Sequence, residues 1–114
     1  MATRFHITLP DSSLARGSNP SLAFTAQGAD AFAQQLQQAL RRDVLFQNWR
    51  ATQEDPDAVD ESLGATDPEA TVEGMQDDLH IDLIVITSLP GDILRQRLRL
   101  LAGNGWQLRD VSAA

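Results

Sequence analysis

The chain contains no cysteine, no lysine and no apolar run long enough to cross a membrane. Without cysteine there can be no disulfide, no thiolate nucleophile and no Cys-ligated metal. A membrane-spanning helix needs about 20 consecutive apolar residues. The first residues also lack the apolar core of a signal peptide. We therefore expect a cytoplasmic protein with no membrane partner.

Acidic residues dominate the charge, and they are unevenly placed. The 114 residues carry 16 acids against nine arginines, a net charge of −7. Eleven of the acids lie between positions 54 and 82, whereas no arginine occurs from 51 to 94. Because phosphate contacts need a basic surface, this balance predicts no nucleic-acid partner. The length fits one domain, residues 1–114.

Alternating and β-branched apolar residues predict the strands. The strongest run, Leu79–Thr87, predicts the central strand of the only large sheet. For residues 44–51 the alternation leaves open which side faces the core. The predicted strands are residues 4–9, 22–26, 44–51, 79–87 and 106–111.

Two segments show the helical spacing of apolar residues, 29–42 and 90–102. Gly28 is a possible N-cap of the first, and Gly103 to Gly105 end the second. In the second helix we expect Arg95, Arg97 and Arg99 to spread around the solvent side.

The longest segment without a clear pattern is residues 52–76, which we call the acidic connector. It contains two prolines and two glycines and few large apolar residues. Such a length exceeds the usual loop, so the segment is mobile, functional or partly structured. Residues 57–63 could hold one helical turn, and residues 70–73 could begin a strand.

The order of elements predicts a small α+β domain. Two βαβ halves joined by the acidic connector fold most economically as a ferredoxin-like two-layer sandwich. In this arrangement a four- to five-stranded antiparallel sheet carries both helices on one face. Many unrelated functions use such a scaffold, so the fold alone assigns none.

The other face of that sheet would hold two isoleucines, Ile84 and Ile86. Leaving them in water would forfeit about 1.5 to 3 kcal/mol each relative to burial. Either the acidic connector folds back over them or a second copy of the chain packs there. We predict a homodimer, with Ile84, Ile86 and Trp49 at its interface.

Polar side chains on the same face suggest a second kind of site. Asp78, His80 and Asp82 alternate along the central strand, and His6 could join them from a neighbouring strand. Imidazole and carboxylate groups together bind zinc, manganese or iron. The same pattern is also typical of a solvated or ion-paired strand face.

No motif for nucleophilic catalysis or phosphate binding is present. Residues 55–61 lack the glycine and ligand spacing of a calcium loop. The acidic connector could dock onto a basic partner protein, or it could simply be solvated. We therefore expect a binding module without a cofactor that engages a protein or small molecule. The alternative is a small metal-assisted enzyme that uses Asp78, His80, Asp82 and His6.

Overall fold

A computed structural model describes residues 2–114. It forms a small α+β domain with one four-stranded antiparallel sheet and three α-helices. The strands are β1 (Thr3–Leu9), β2 (Thr71–Asp77), β3 (His80–Thr87) and β4 (Gln107–Ala113). The helices are α1 (Ala29–Arg41), α2 (Val44–Arg50) and α3 (Gly91–Ala102), with short 3-10 helices at Pro56–Ala58 and Glu61–Gly64. None of the helices among the described residues has the length and apolarity to cross a membrane.

The sheet has the strand order β2-β3-β1-β4, and every neighbouring pair is antiparallel. As predicted, β3 is a central strand. A register shift between His6 and Ile7 marks an irregularity where β1 pairs with β4. Strands β2 and β3 form a hairpin whose turn contains Asp78 at φ 56, a conformation that aspartate tolerates.

The core lies between one face of the sheet and the helices α1 and α3. Alternate residues of β3, including Ile81, Leu83 and Val85, are fully buried because the strand sends every second side chain to this face. Helix α1 contributes Phe32 and Leu36, which recur at helical spacing. The predicted helices and central strand are thereby confirmed.

The strand predicted at residues 44–51 is wrong, because these residues form α2. Phe46 is buried on this helix, and Trp49 lies one turn later with its ring centroid 6.0 Å from that of Phe46. A seven-residue segment with apolar residues at both two- and three-residue spacing fits the pattern of a strand as well as that of a helix. As part of this helix Phe46 lies against the acidic connector, where a Cβ at Gly64 would be 2.7 Å from the Phe46 ring.

The strand predicted at residues 22–26 is also absent from the described structure. Its backbone groups are bonded elsewhere: the Phe24 amide donates to the Leu101 carbonyl at 2.8 Å. Arg16 donates to the carbonyls of Phe24 and Ala26, and the Gln35 side chain accepts from the Ala26 amide. The segment therefore packs along the helices and adds nothing to the sheet.

Arg97 departs from the prediction that it faces solvent, because its side chain is fully buried. It donates hydrogen bonds to the backbone carbonyls of Ala39, Leu63 and Ala65 at 3.2, 2.8 and 2.8 Å. These bonds tie α1 and the acidic connector to α3. The sequence does contain a signal for this burial, since Arg97 lies in the apolar stripe between Leu94 and Leu101.

The acidic connector is partly structured, as one of the sequence alternatives anticipated. It holds both 3-10 helices, and its last residues form most of β2. Arg41 donates to the Ala70 carbonyl at 2.7 Å, and Gln37 accepts from the Val72 amide at 3.0 Å. Side chains of α1 thus hold the connector where it enters the sheet.

Candidate functional site

The sheet face away from α1 and α3 is not covered by any described element, and we call it the open face. Opposed residues of an antiparallel pair share a face, so the register assigns its members. Its surface is mixed, with apolar, basic and acidic side chains. The members on the three strands β1, β3 and β2 are Arg4, His6, Thr8, His80, Asp82, Ile84, Ile86, Thr71, Glu73, Met75 and Asp77.

Ile84 and Ile86 form the apolar centre of the open face. Both are half-buried, because neighbouring side chains flank them without closing over them. The surrounding surface is concave, about 350 Å³ in volume, and is lined by Arg4, Thr71 and Glu73 together with the two isoleucines. Met75, which is 55% exposed, extends the apolar surface along β2.

The acidic connector does not cover these isoleucines. Its irregular part lies against α2 and α3, where Gly64 meets Phe46 and Arg97 holds the Leu63 carbonyl. Only its final residues, including Thr71 and Glu73, reach the open face, and they do so as strand β2. The alternative in which the connector folds back over Ile84 and Ile86 is therefore wrong.

A polar cluster occupies the other half of the open face, with the carboxylate of Asp82 at its centre. Thr8 donates its hydroxyl to Asp82 Oδ1 at 2.7 Å. The Nε2 atoms of His6 and His80 lie 3.1 and 3.3 Å from the two carboxylate oxygens. Cross-strand placement by β1 and β3 thus brings a hydroxyl, two imidazoles and a carboxylate together.

These contacts favour the ionised form of Asp82. The Thr8 hydroxyl makes the largest contribution, with smaller ones from His6 and His80, and together they outweigh the effect of burial. The pKa of Asp82 consequently lies below its usual value. The cluster lines a shallow depression of about 420 Å³ together with Pro10, Gln107 and Arg109, so it is open to solvent.

Three of the four predicted metal ligands meet in this cluster, and the fourth does not. Asp78 lies in the β2–β3 turn, outside the strand whose alternation was expected to align it with His80 and Asp82. Between residues 2 and 114, no group of three or more His, Cys, Asp or Glu side chains has an arrangement that could hold a metal ion. The metal site predicted at Asp78, His80, Asp82 and His6 stays a prediction. Asp78, however, does not lie on β3 with the other two residues of that segment.

Trp49, the third residue predicted at the interface, is not on the sheet. It belongs to α2 and is partly buried beside Phe46. The sequence reasoning also missed Glu73 and Met75, which reach the open face because β2 extends through residue 77. Only the alternation of Thr71, Glu73 and Met75 with Val72 could have indicated this placement.

A third depression lies on the helix side of the molecule. It measures about 390 Å³ and is bordered by α1, α2 and the loop at residues 21–25. Val44, which is 58% exposed, is its main uncovered apolar side chain. No polar cluster comparable to that around Asp82 lines it in the described part of the chain.

Comparison with known proteins identifies no relative: no family model, no curated protein and no solved structure matches this chain.

Proposed function

We propose that this protein is a homodimeric interaction module that works through the open face. The observation that carries the proposal is the pair Ile84 and Ile86, half-buried at the centre of a sheet face that no part of the described chain covers. Contiguous apolar surface of this kind marks interfaces. A second copy would remove the remaining apolar surface from water, at about 25 cal/mol per Å².

We further infer that the fold is the ferredoxin-like arrangement. The strand order β2-β3-β1-β4 supports this, as does the succession of β1, α1, β2, β3, α3 and β4 along the chain. In that plan α2 and the 3-10 helices are an insertion between α1 and β2. The inference matters for function because the plan leaves one entire sheet face available.

Solution mass tests the proposed dimer. Analytical ultracentrifugation from low to high micromolar concentration should give twice the mass of one chain. Ile84→Asp should shift the protein to the mass of one chain, because a carboxylate in a sheet-to-sheet contact would be buried without a partner. Ile84 is not part of the core, so the variant should retain its circular dichroism spectrum.

Val44→Asp is the matched control, since it places the same charge on an exposed aliphatic residue of α2. It should leave the mass unchanged. A wild-type protein with the mass of one chain at every concentration would overturn the proposal. So would an Ile84→Asp variant that matches the wild type in both mass and stability.

The alternative function is a small metal-assisted enzyme centred on Asp82. What favours it is the contact of two imidazole Nε2 atoms with the same carboxylate. Against it stands the position of Asp78 in the turn, which leaves at most three of the four expected ligands together. Titration with zinc or manganese distinguishes the two functions, because only the enzyme requires a saturable heat of binding.

A further inference from the structure

Two opposite charges flank the apolar centre of the open face on different sides. Arg4 on β1 is directly opposite Ile86, and Glu73 on β2 is directly opposite Ile84. Since β3 lies between β1 and β2, the isoleucines separate a basic residue on β1 from an acidic residue on β2. The four side chains line the same concave surface.

Neither charge has an ion-pair partner within the described chain. The ion pairs present among residues 2–114 join His6 and His80 to Asp82, and Arg50 to Asp57 and Glu61. Arg4 and Glu73 are both exposed, and neither side chain makes a hydrogen bond to another described residue. The face therefore offers two unpaired, opposite charges beside its apolar centre.

We propose that two copies of the chain stack open face to open face about a two-fold axis running along β3, so that Arg4 of each copy meets the partner's Glu73. This geometry rests on the proposed function, and it specifies how the two faces meet. Rotation about such an axis reverses the order of the strands. Strand β3 then lies over its counterpart, and β1 of one copy lies over β2 of the other.

The rotation also preserves the level of each residue along the strand direction. Ile84 and Ile86 therefore meet their counterparts. Along the strand direction, Glu73 is offset from the partner's Arg4 by two residues, which is about 7 Å. An arginine side chain is long enough to span that step while its methylene groups pack over an isoleucine.

A two-fold axis across the strands would instead place β1 on β1 and β2 on β2. Arg4 would then approach the partner's Arg4, and Glu73 the partner's Glu73. Like charges held close together across an interface are unfavourable, and opposite charges are favourable. Charge complementarity therefore selects the axis along β3.

Asp82 is the carboxylate of β3 on the open face, so this geometry brings it toward its own counterpart. Packed sheets cross at about 30° because each sheet is twisted. With the crossing point at Ile84 and Ile86, the strands have diverged at the level of Asp82. Each copy of Asp82 also keeps its own contacts with Thr8, His6 and His80, so its charge is shared within its own subunit.

Charge reversal tests the pairing. Arg4→Glu and Glu73→Arg should each raise the dimer dissociation constant by about tenfold, because each converts two attractive contacts into two repulsive ones. An equimolar mixture of the two variants should associate as tightly as the wild type, since the carboxylate introduced on β1 of one chain then meets the guanidinium introduced on β2 of the other. The double variant Arg4→Glu/Glu73→Arg should also recover the wild-type constant.

Arg95→Glu and Glu54→Arg are the controls, because they change the net charge equally at exposed positions away from the open face. They should leave the dissociation constant within about twofold of wild type. If the single variants dissociate no more than these controls, the proposed pairing of Arg4 with Glu73 is wrong, although the protein is still a dimer. Single variants that weaken the dimer without recovery on mixing would overturn it as well. A wild-type monomer would instead remove the proposed function.

Discussion

The hydroxyl of Thr87, the last residue of β3, donates a 2.7 Å hydrogen bond to the carboxylate of Asp67 in the acidic connector. The same carboxylate accepts from the amides of Ser88 and Glu69, both at 3.0 Å. Burial opposes the charge on Asp67, but the three donors together outweigh it and hold its pKa below the usual value. The carboxylate of Asp67 thus joins the acidic connector to the end of β3.

Asp67→Ala should destabilise the protein by about 1.5 to 3 kcal/mol at neutral pH, because hydrogen bonds to a buried charged group are lost. Glu54→Ala, at an exposed position, should change stability by less than about 0.5 kcal/mol. Urea unfolding monitored by circular dichroism measures both. If the two variants unfold at the same urea concentration, Asp67 does not anchor the connector.

The contribution of Asp67 should also depend on pH in a defined direction. Its folded pKa is lowered, so the stabilisation is fully present above the unfolded value of about 3.9 and is lost as the pH falls toward the folded pKa. The difference in unfolding free energy between wild type and Asp67→Ala should therefore shrink below about pH 4. A difference that stays constant from pH 7 to pH 3 would contradict this assignment.

Arg97→Ala should be among the most destabilising single substitutions in this chain. The side chain is fully buried and satisfies three carbonyls, and burial is the main cause that lowers its pKa. Its loss leaves a cavity and unsatisfied acceptors, which should cost about 3 kcal/mol or more.

Arg99→Ala is the matched control, since Arg99 is exposed on the same helix and should cost less than about 0.5 kcal/mol. Thermal and urea unfolding compare the two variants. Limited proteolysis adds a local test, because loss of the bonds to Leu63 and Ala65 should expose the connector to cleavage before the rest of the chain. Equal cleavage rates in both variants would show that the connector is held elsewhere.

Regular periodicity explains which parts of the fold were predictable from sequence. β3 and α3 repeat their apolar pattern over eight and twelve residues. These lengths are enough to distinguish the two-residue period of a strand from the 3.6-residue period of a helix. Residues 44–50 span only seven positions, and Phe46 among them packs against Gly64, which is distant in sequence. Local pattern carries no information about such a contact.

The same distinction applies to the candidate site. Alternation along β3 correctly placed His80 and Asp82 on one face with Ile84, because that face follows from the strand alone. It failed for Asp78, where the hairpin turn begins. Glu73 was missed because its position depends on pairing between β2 and β3, which the acidic composition of the connector conceals.

Gly74→Ala should destabilise the protein because α1 passes directly over this position of β2. A Cβ there would lie 2.4 Å from the carbonyl oxygen of Ala29, and this backbone atom cannot move aside as a flexible side chain could. Overpacking of this kind should cost about 1 to 3 kcal/mol.

Gly91→Ala provides the comparison, since the nearest atom to its Cβ would be Phe5 Cε1 at 3.7 Å, an ordinary contact. This substitution lies at the first residue of α3 and should be neutral or slightly stabilising. Both variants can be measured by thermal unfolding. A Gly74→Ala variant as stable as Gly91→Ala would mean that α1 does not pack against β2 in this way.

His80→Ala separates the interaction module from the metal-assisted enzyme. His80 is partly exposed and contacts Asp82 at 3.3 Å, while Asp82 retains the shorter bond from Thr8. The module therefore predicts a change in stability of less than about 0.5 kcal/mol and an unchanged dimer. Thr8→Val, which removes the 2.7 Å bond at a buried residue, should cost about 1 kcal/mol and shows that the assay detects changes at Asp82.

In calorimetry with zinc, the module predicts no saturable heat for either His80→Ala or the wild type. Saturable heat in the wild type that disappears in His80→Ala would instead assign the cluster to a metal and favour the enzyme, because loss of one imidazole ligand weakens a transition-metal site.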